Sequence, residues 1–477
     1  MKLKLYLFIR TAYIFALAPL ALVMSCIGLA SCANGSSSDD YDNAPYTTEI
    51  VEGTLRGPFG EARTSSVPQK SGGRTYEIEP VTSSKEAGQK ALQEAFSKLK
   101  PGDTLILNDG TYYGGAELKE KIHGTFDNWI VVKPKNKGKA IITDGDKANE
   151  SCRLLRIYGS SYIKFDGLVF DGAKRERSCG GIKISPPSHH IVISNCTFKN
   201  IQTTKLEKNS LGSANAIVLW GDSASASINN VLITDNKLEE GITTGKGECI
   251  TLTGNCEYIN VVNNSLKDTG NIGIIVAGSN PSVCPDPSKN FARFVLVKGN
   301  TCVNCQSPSK TSAAIYVDGG MHVIIDSNTL SVSDPTPSAP VGQCGISLNS
   351  EKEISVKAFL PHDILIQNNT INYFGSGAIR CGVGGEKSKR KDCYVGDVII
   401  ENNKCDGNAY RSGESVLVFN KCRNITVRDN TFTDSKNMTG GKARKYSFTF
   451  NKSGYNLSDY TQNVVIDESN SWSGYKD

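Results

Sequence analysis

Histidine is scarce in this chain: there are five in 477 residues, none in a His-x-x-x-His or His-Glu-x-x-His spacing. Zinc-protease chemistry therefore has no ligand set. An excess of either charge is missing too, with 53 Lys and Arg against 48 Asp and Glu. If Lys2, Lys4 and Arg10 leave with an export signal, the formal charge falls from +5 to +2, too weak to hold nucleic acid. Only 38% of the residues are hydrophobic and 21% are charged, which excludes a multi-span membrane protein and a disordered polyampholyte. Cys302-x-x-Cys305 lacks a second pair at zinc spacing, so a structural zinc site is not expected. Fifteen cysteines are few for this length, and without Cys26 and Cys32 an odd thirteen remain. Complete internal pairing is impossible, and most are expected to pack as small buried hydrophobes. Cys381 and Cys393 are the best-placed disulfide pair.

What is present begins with an export signal: Lys2, Lys4 and Arg10 flank an apolar stretch from Thr11 to Leu29. Its end, Leu29-Ala30-Ser31-Cys32, resembles the lipobox of bacterial lipoproteins. That resemblance implies cleavage before Cys32, lipidation of Cys32 and a membrane-anchored protein outside the cytoplasm, at the outer membrane or cell surface. The expected organisation is a signal peptide over 1–31, a flexible tether over 32–74 and one domain over 75–477.

That domain is organised by repetition. The phrase apolar-x-apolar-x-x-Asn-x-apolar returns as Val231–Leu238, Ile259–Leu266, Val295–Cys302, Val323–Leu330, Ile364–Ile371, Val398–Cys405 and Ile425–Phe432, with looser copies at Ile163–Phe170 and Ile191–Phe198. Successive asparagines from Asn236 to Asn430 are 28, 36, 28, 41, 34 and 27 residues apart. Alternation marks half-buried strands, and a two- or three-strand unit buries its inner face only by stacking on its neighbours. One Asn per unit at the bend, where a left-handed backbone is tolerated, predicts an internal ladder. The Asn195-Cys-Thr sequon is read as part of it. A β-sandwich would repeat roughly every 8–12 residues, without one Asn at this longer period.

Each unit has a second strand, from Gly181–Ser185 and Ala216–Trp220 through Ala314–Asp318, Gly345–Asn349 and Ala378–Gly382 to Val416–Asn420 and Ser447–Asn451. Upstream, Ser83-x-x-Glu86 reads as a capping box before Ala87, Ala91, Leu92, Ala95 and Leu99. The expected fold is all-β, a right-handed parallel β-helix of about ten coils with this helix across its N-terminal end.

Pro101–Tyr112, Asn128–Lys133 and the Asn coils resemble the secreted right-handed parallel β-helix proteins of the pectin-lyase-like superfamily. Gly247–Asn255, Asn271–Ile274, Ile315–Gly320 and Ser350-Glu351 are similar to motifs of a bacterial β-helix-repeat group whose motifs often carry acids where this chain has Ala313, Ile275 and Ser347. The Asn-Thr-Asp and Gly-His-Gly motifs of polygalacturonases and the arginine motifs of pectate lyases are absent.

Alternation turns Lys183, Tyr316 and Arg380 outward, with Trp220, Asp318 and Asn349 in the adjoining column and Glu351 one step further. Insertions at Thr203–Ser213, Ser279–Asn290, Asp334–Gln343, Glu351–Pro361 and Gly382–Gly396 flank the same strands and suggest a groove. Outward polar residues on a sheet are by default only solvated, and so is the basic run Lys387, Lys389, Arg390 and Lys391. Acids, an amide, a phenol, an indole and a guanidinium together suit an acidic polysaccharide, with Lys183, Trp220 and Asn349 as binding residues. A lyase would use Tyr316 and Arg380 as base, acid or clamp, with Asp318 and Glu351 holding Ca²⁺. An inverting glycoside hydrolase would instead use the carboxyls of Asp318 and Glu351, whose Cα atoms are expected roughly 8 Å apart. A third reading is a non-catalytic glycan-binding or adhesin-like surface protein. A monomer is expected in each case.

Overall fold

The structure is a computed structural model. It describes residues 50–51, 54–55, 66–70, 72–118, 122–144, 152–173, 179–202, 214–239, 247–278, 280, 282–305, 312–336, 343–349, 362–382, 394–448 and 461–477. The expected signal segment and Cys32, Glu351, Cys393, the basic run 387–391 and most of the expected tether and insertions lie outside the described residues.

Among the described residues, strands between Thr75 and Ser473 form three long parallel sheets of 13, 12 and 11 strands. One coil shows how they are made. Ile228–Thr234 lies in the 13-stranded sheet A, and Asn236 marks the bend into Lys237–Glu239 of the 12-stranded sheet B. Glu248–Gly254 then lies in the 11-stranded sheet C, and Cys256–Val262 returns to sheet A one coil further on. Register is exact in residue type: Ile163, Ile191, Val231, Ile259, Val295 and Val323 stack in one column of sheet A. All are buried, in one hydrophobic cluster that runs from Leu92 to Ala443. This is the right-handed β-helix that the Asn phrases predict, with at least one more coil than the repeats alone reveal.

The Asn ladder is present. Each Nδ2 donates to the next Oδ1 from Asn236 through Asn264, Asn300, Asn328, Asn369, Asn403 and Asn430 to Asn470, at 2.8–3.0 Å. Two details differ from the sequence reading. The left-handed residue is the one before the ladder Asn: Asp235, Asn263, Gly299, Ser327, Asn368, Asn402 and Asp429 all have φ near +55 to +65°. Moving the strain one residue back leaves the ladder Asn to point its amide inward. Asn195 occupies this left-handed position, and its amide bonds Asp166; Cys196 holds the ladder place, its N–H donating to Asn236 Oδ1. The ladder therefore does not explain the sequon.

Helix α1 spans Lys85–Ser97 and packs Leu92 and Phe96 onto the first strands of sheets B and C. Its N-cap is Ser84, whose hydroxyl accepts from Ala87 N at 3.1 Å, and not Ser83. At the other end Tyr446 pairs with Leu417 and Phe448 with Phe419, two residues off the register expected for Ser447–Asn451. Tyr446, Phe448 and Phe450 alternate uniformly, so a shift by two satisfies the same pattern. The ten described free cysteines are all buried. Cys302 and Cys405 point inward, in register with Leu266 and Leu330 and with Ile371 and Phe432.

Candidate functional site

The expected site residues lie on the outer face of sheet C, where parallel register turns alternation into columns. One column runs Glu117, Arg156, Lys183, Val218, Thr251, Ile275, Tyr316, Ser347, Arg380 and Val418. Beside it, Ala277, Asp318 and Asn349 are direct neighbours. At about 4.8 Å per strand, Tyr316 and Arg380 are roughly 10 Å apart along the sheet, and Lys183 and Tyr316 roughly 19 Å. The proposed residues thus form two groups.

In the first group, Asn349 Nδ2 donates to the Tyr316 hydroxyl at 2.9 Å. Tyr316 is outward, as alternation requires, yet only 5% exposed, because its ring packs with Ile272, Ile275, Ala313 and Cys344 in an apolar cluster on the outer face. Asp318 is 7% exposed and in register with Asn349. Arg380 stands two strands from Tyr316, with Nη1 3.8 Å from Glu414 Oε2. Glu414 also receives Arg411 Nη1 at 3.5 Å and the Ser376 hydroxyl at 3.3 Å, so the guanidinium is held against a carboxylate that is itself fixed.

Calcium takes about six to eight oxygens. Among the described residues no three His, Cys, Asp or Glu side chains gather to hold a metal. Asp318 offers one carboxylate, and its expected partner Glu351 is outside the described residues.

The second group centres on Lys183, whose ammonium lies 5.4 Å from the centre of the Trp220 ring. Burial pushes the Lys183 pKa down; Asp222 opposes this, while Arg153 and Arg156 add to it. Arg153 and Arg156 were not picked out from the sequence, although Leu155-Arg-Ile157-Tyr carries the same alternation as the later strands. Glu414 was missed for a different reason: it lies in the turn before its strand, where no periodicity applies.

His189 and His190 join a ring cluster in which His190 stacks on Tyr162 at 4.4 Å.

Residues 86–267 match the Chondroitinase B family. The uncharacterized protein YwoF of Bacillus subtilis (strain 168) is 25% identical over 388 residues, covering 75% of this chain and 78% of its own. Among solved structures, the GH136 lacto-N-biosidase of Eubacterium ramulus superposes with a TM-score of 0.56 at 12% identity, over 84% of this chain and 68% of that one. The A-module of the mannuronan C-5 epimerase AlgE6 of Azotobacter vinelandii gives 0.52 at 12% identity, over 83% and 93%. The coils, the ladder and these superpositions agree: the chain has the right-handed parallel β-helix fold.

Proposed function

We propose that this chain acts on an acidic polysaccharide around Tyr316, near the middle of sheet C, and cleaves it by β-elimination. The observation that carries the reading is the alignment of Tyr316, Ser347 and Arg380 on successive strands, with Asn349 bonded to the phenol. β-Elimination on a uronate needs its carboxylate neutralised, its C5 proton removed and its O4 protonated. Arg380, pre-oriented by Glu414, suits the carboxylate. Asn349 donates to the Tyr316 oxygen, so that bond fixes the phenol without using its proton, which suits delivery to a leaving O4 or uptake from C5. A Ca²⁺ ion held by Asp318 and Glu351 would supply further charge neutralisation. The match to a family named for a chondroitinase supports an acidic glycan, and it spans the Lys183 and Trp220 strands. Hydrolysis would need Glu351 as its second carboxyl, because the residues in register beside Asp318 are Ala277 and Asn349, neither of them a carboxylic acid. The deep burial of Tyr316 favours a second reading, a protein that binds glycan without cleaving it.

A panel of acidic and neutral glycans tests all three. The lyase reading expects ultraviolet-absorbing unsaturated ends, and Tyr316→Phe should abolish them while sparing binding. New reducing ends without that absorbance would mean hydrolysis, and binding with neither product would leave the non-catalytic reading. The same reading includes export and lipidation at Cys32, so Cys32→Ser should remove the protein from the membrane fraction. Unchanged membrane retention with an uncut N-terminus would mean an ordinary anchor.

A further inference from the structure

Beside the Tyr316 cluster, two guanidiniums share one carboxylate. Arg380 Nη1 lies 3.8 Å from Glu414 Oε2, and Arg411 Nη1 lies 3.5 Å from Glu414 Oε1. Among the described residues no second acid pairs with either arginine, so two positive charges stand against one negative. Both contacts are long, since a charge-assisted N–H···O bond runs about 2.7–2.9 Å. Arg411 spends one donor on Glu414, and Arg380 none at hydrogen-bond length; a guanidinium has several more to offer. The two arginine side chains are 30% and 31% exposed, so their unused donors are within reach of a ligand.

Strand alternation does not bring Arg411 here. It lies in the turn before Ser415–Asn420, and that turn is pinned to the preceding coil. Arg411 N donates to Gly375 O at 3.0 Å and Ala409 N to Phe374 O at 2.8 Å, while Phe374 N donates to Oδ1 of the fully buried Asn408 at 3.0 Å. The coil so gripped continues into Ile379–Gly382, the strand that carries Arg380. Glu414 N then closes the turn on Arg411 O at 3.2 Å, with Gly413 at φ +82° to make the bend. All of these bonds use backbone or Asn408, so the Arg411 side chain is not needed to hold the turn. Cys344 joins the ion group to the first site: it packs in the same outer-face cluster as Tyr316 and feels the charges of both Arg380 and Glu414.

We infer that Arg411 is a further substrate-binding residue, which with Arg380 clamps one carboxylate of the acidic glycan. The inference rests on the proposed action around Tyr316 and names a residue which that proposal does not use. Two cations drawn to one carboxylate repel each other, and a second anion between them lowers that repulsion. The planar fork of each guanidinium matches a carboxylate. Glu414 keeps the pair together when the site is empty, and the substrate supplies the missing negative charge.

The experiment is direct binding to the full chain by calorimetry, in the parent and in a Tyr316→Phe background that consumes no probe. Hexasaccharides of galacturonate, mannuronate and hyaluronan are each compared with their carboxyl methyl esters, which keep the sugars and lose the charge. Arg411→Ala should weaken acidic-probe binding about tenfold or more, the size of a lost charged hydrogen bond, and leave ester binding unchanged. Arg411→Lys keeps the charge without the fork and should recover part of the loss. Thermal unfolding midpoints check that each variant is folded. Equal losses for acid and ester would make Arg411 a residue that only shapes its turn, and overturn the inference. Unchanged acid affinity in Arg411→Ala, or no binding of any acidic probe by the parent and the Tyr316→Phe chain, overturns it too. Cleavage is read separately on chains that keep Tyr316. A carboxylate-dependent loss in Arg411→Ala without unsaturated ends from the parent keeps the clamp and removes the cleavage reading. Unsaturated ends formed by Arg411→Ala with the parent's KM keep the cleavage reading and remove the clamp.

Discussion

Asn369 is fully buried, and its side chain satisfies neighbours on both adjacent coils. Its Nδ2 donates to Ile325 O and Asn403 Oδ1, and its Oδ1 accepts from Asn328 N and Asn328 Nδ2, all at 2.9 Å. Truncation strands several of these groups where water does not reach, and each costs about 1–3 kcal/mol. Asn369→Ala should therefore lower stability by about 3–5 kcal/mol. Asn470→Ala, at the ladder's last described member and 7% exposed, should cost less, roughly 1–2 kcal/mol. Asn369→Asp keeps the shape but turns a donor into an acceptor that faces the Ile325 and Gln367 carbonyls. Burial among acceptors would raise that carboxyl's pKa in the folded state. Its protonated form then stabilises the fold below the unfolded value near pH 4, and this is lost as pH rises through the folded value. Urea midpoints at acid and neutral pH measure the series, and equal losses at Asn369 and Asn470 would mean that the ladder is not a cooperative column.

At the scale of strands and helices, legibility followed redundancy. The Asn bends repeat often enough that Asn236 to Asn430 were assigned by spacing alone, and the ladder bonds link those same residues. The first coils were under-read because their bends carry Leu168 and Cys196 where later ones carry Asn. Asn470 was missed because it stands four residues after Ile466, where the phrase has its Asn three residues after the last apolar position, as in Val427-Arg-Asp-Asn430. Helix α1 was legible from its apolar spacing, but its cap was not. Ser83 has Glu86 three residues on, and Ser84 has only Ala87, yet it is Ser84 that adopts the extended backbone of a cap. The outer face of sheet C was legible in register and not in burial. Periodicity says that Tyr316 points outward; whether anything packs over it depends on contacts such as Ile272, Ala313 and Cys344, set by neighbouring coils. Arg380 shows the same limit, since its partner Glu414 lies in a non-periodic turn.

Across the whole molecule, each coil touches mainly its neighbours, so stability is a sum of local terms and the two described ends need not be equal. At the first coils, Phe96 and Leu92 of α1 are 1% exposed and Leu105 and Leu107 fully buried. At the last, Tyr446, Phe448 and Val465 are 39%, 36% and 45% exposed. The last strand of sheet B is held chiefly by Trp472, stacked 4.1 Å from Phe432, and by the Tyr475 hydroxyl bonded to Thr433 O at 2.8 Å. Local opening should therefore begin at the C-terminal coil. In native-state hydrogen exchange, amides of Gln462–Ile466 and Ser471–Ser473 should exchange well before those of Met321–Asp326 or Thr104–Leu107. Trp472→Ala should widen that gap by speeding exchange in the last two coils, at a cost of about 1–3 kcal/mol to local opening, less than for a core aromatic because Trp472 is only half-buried. Sheet C around Tyr316 should keep its protection, and turnover or glycan binding there should be unchanged. Faster exchange along the whole solenoid after this one substitution would show that the coils open as a single cooperative unit, and the end-to-end asymmetry would then have no bearing on stability.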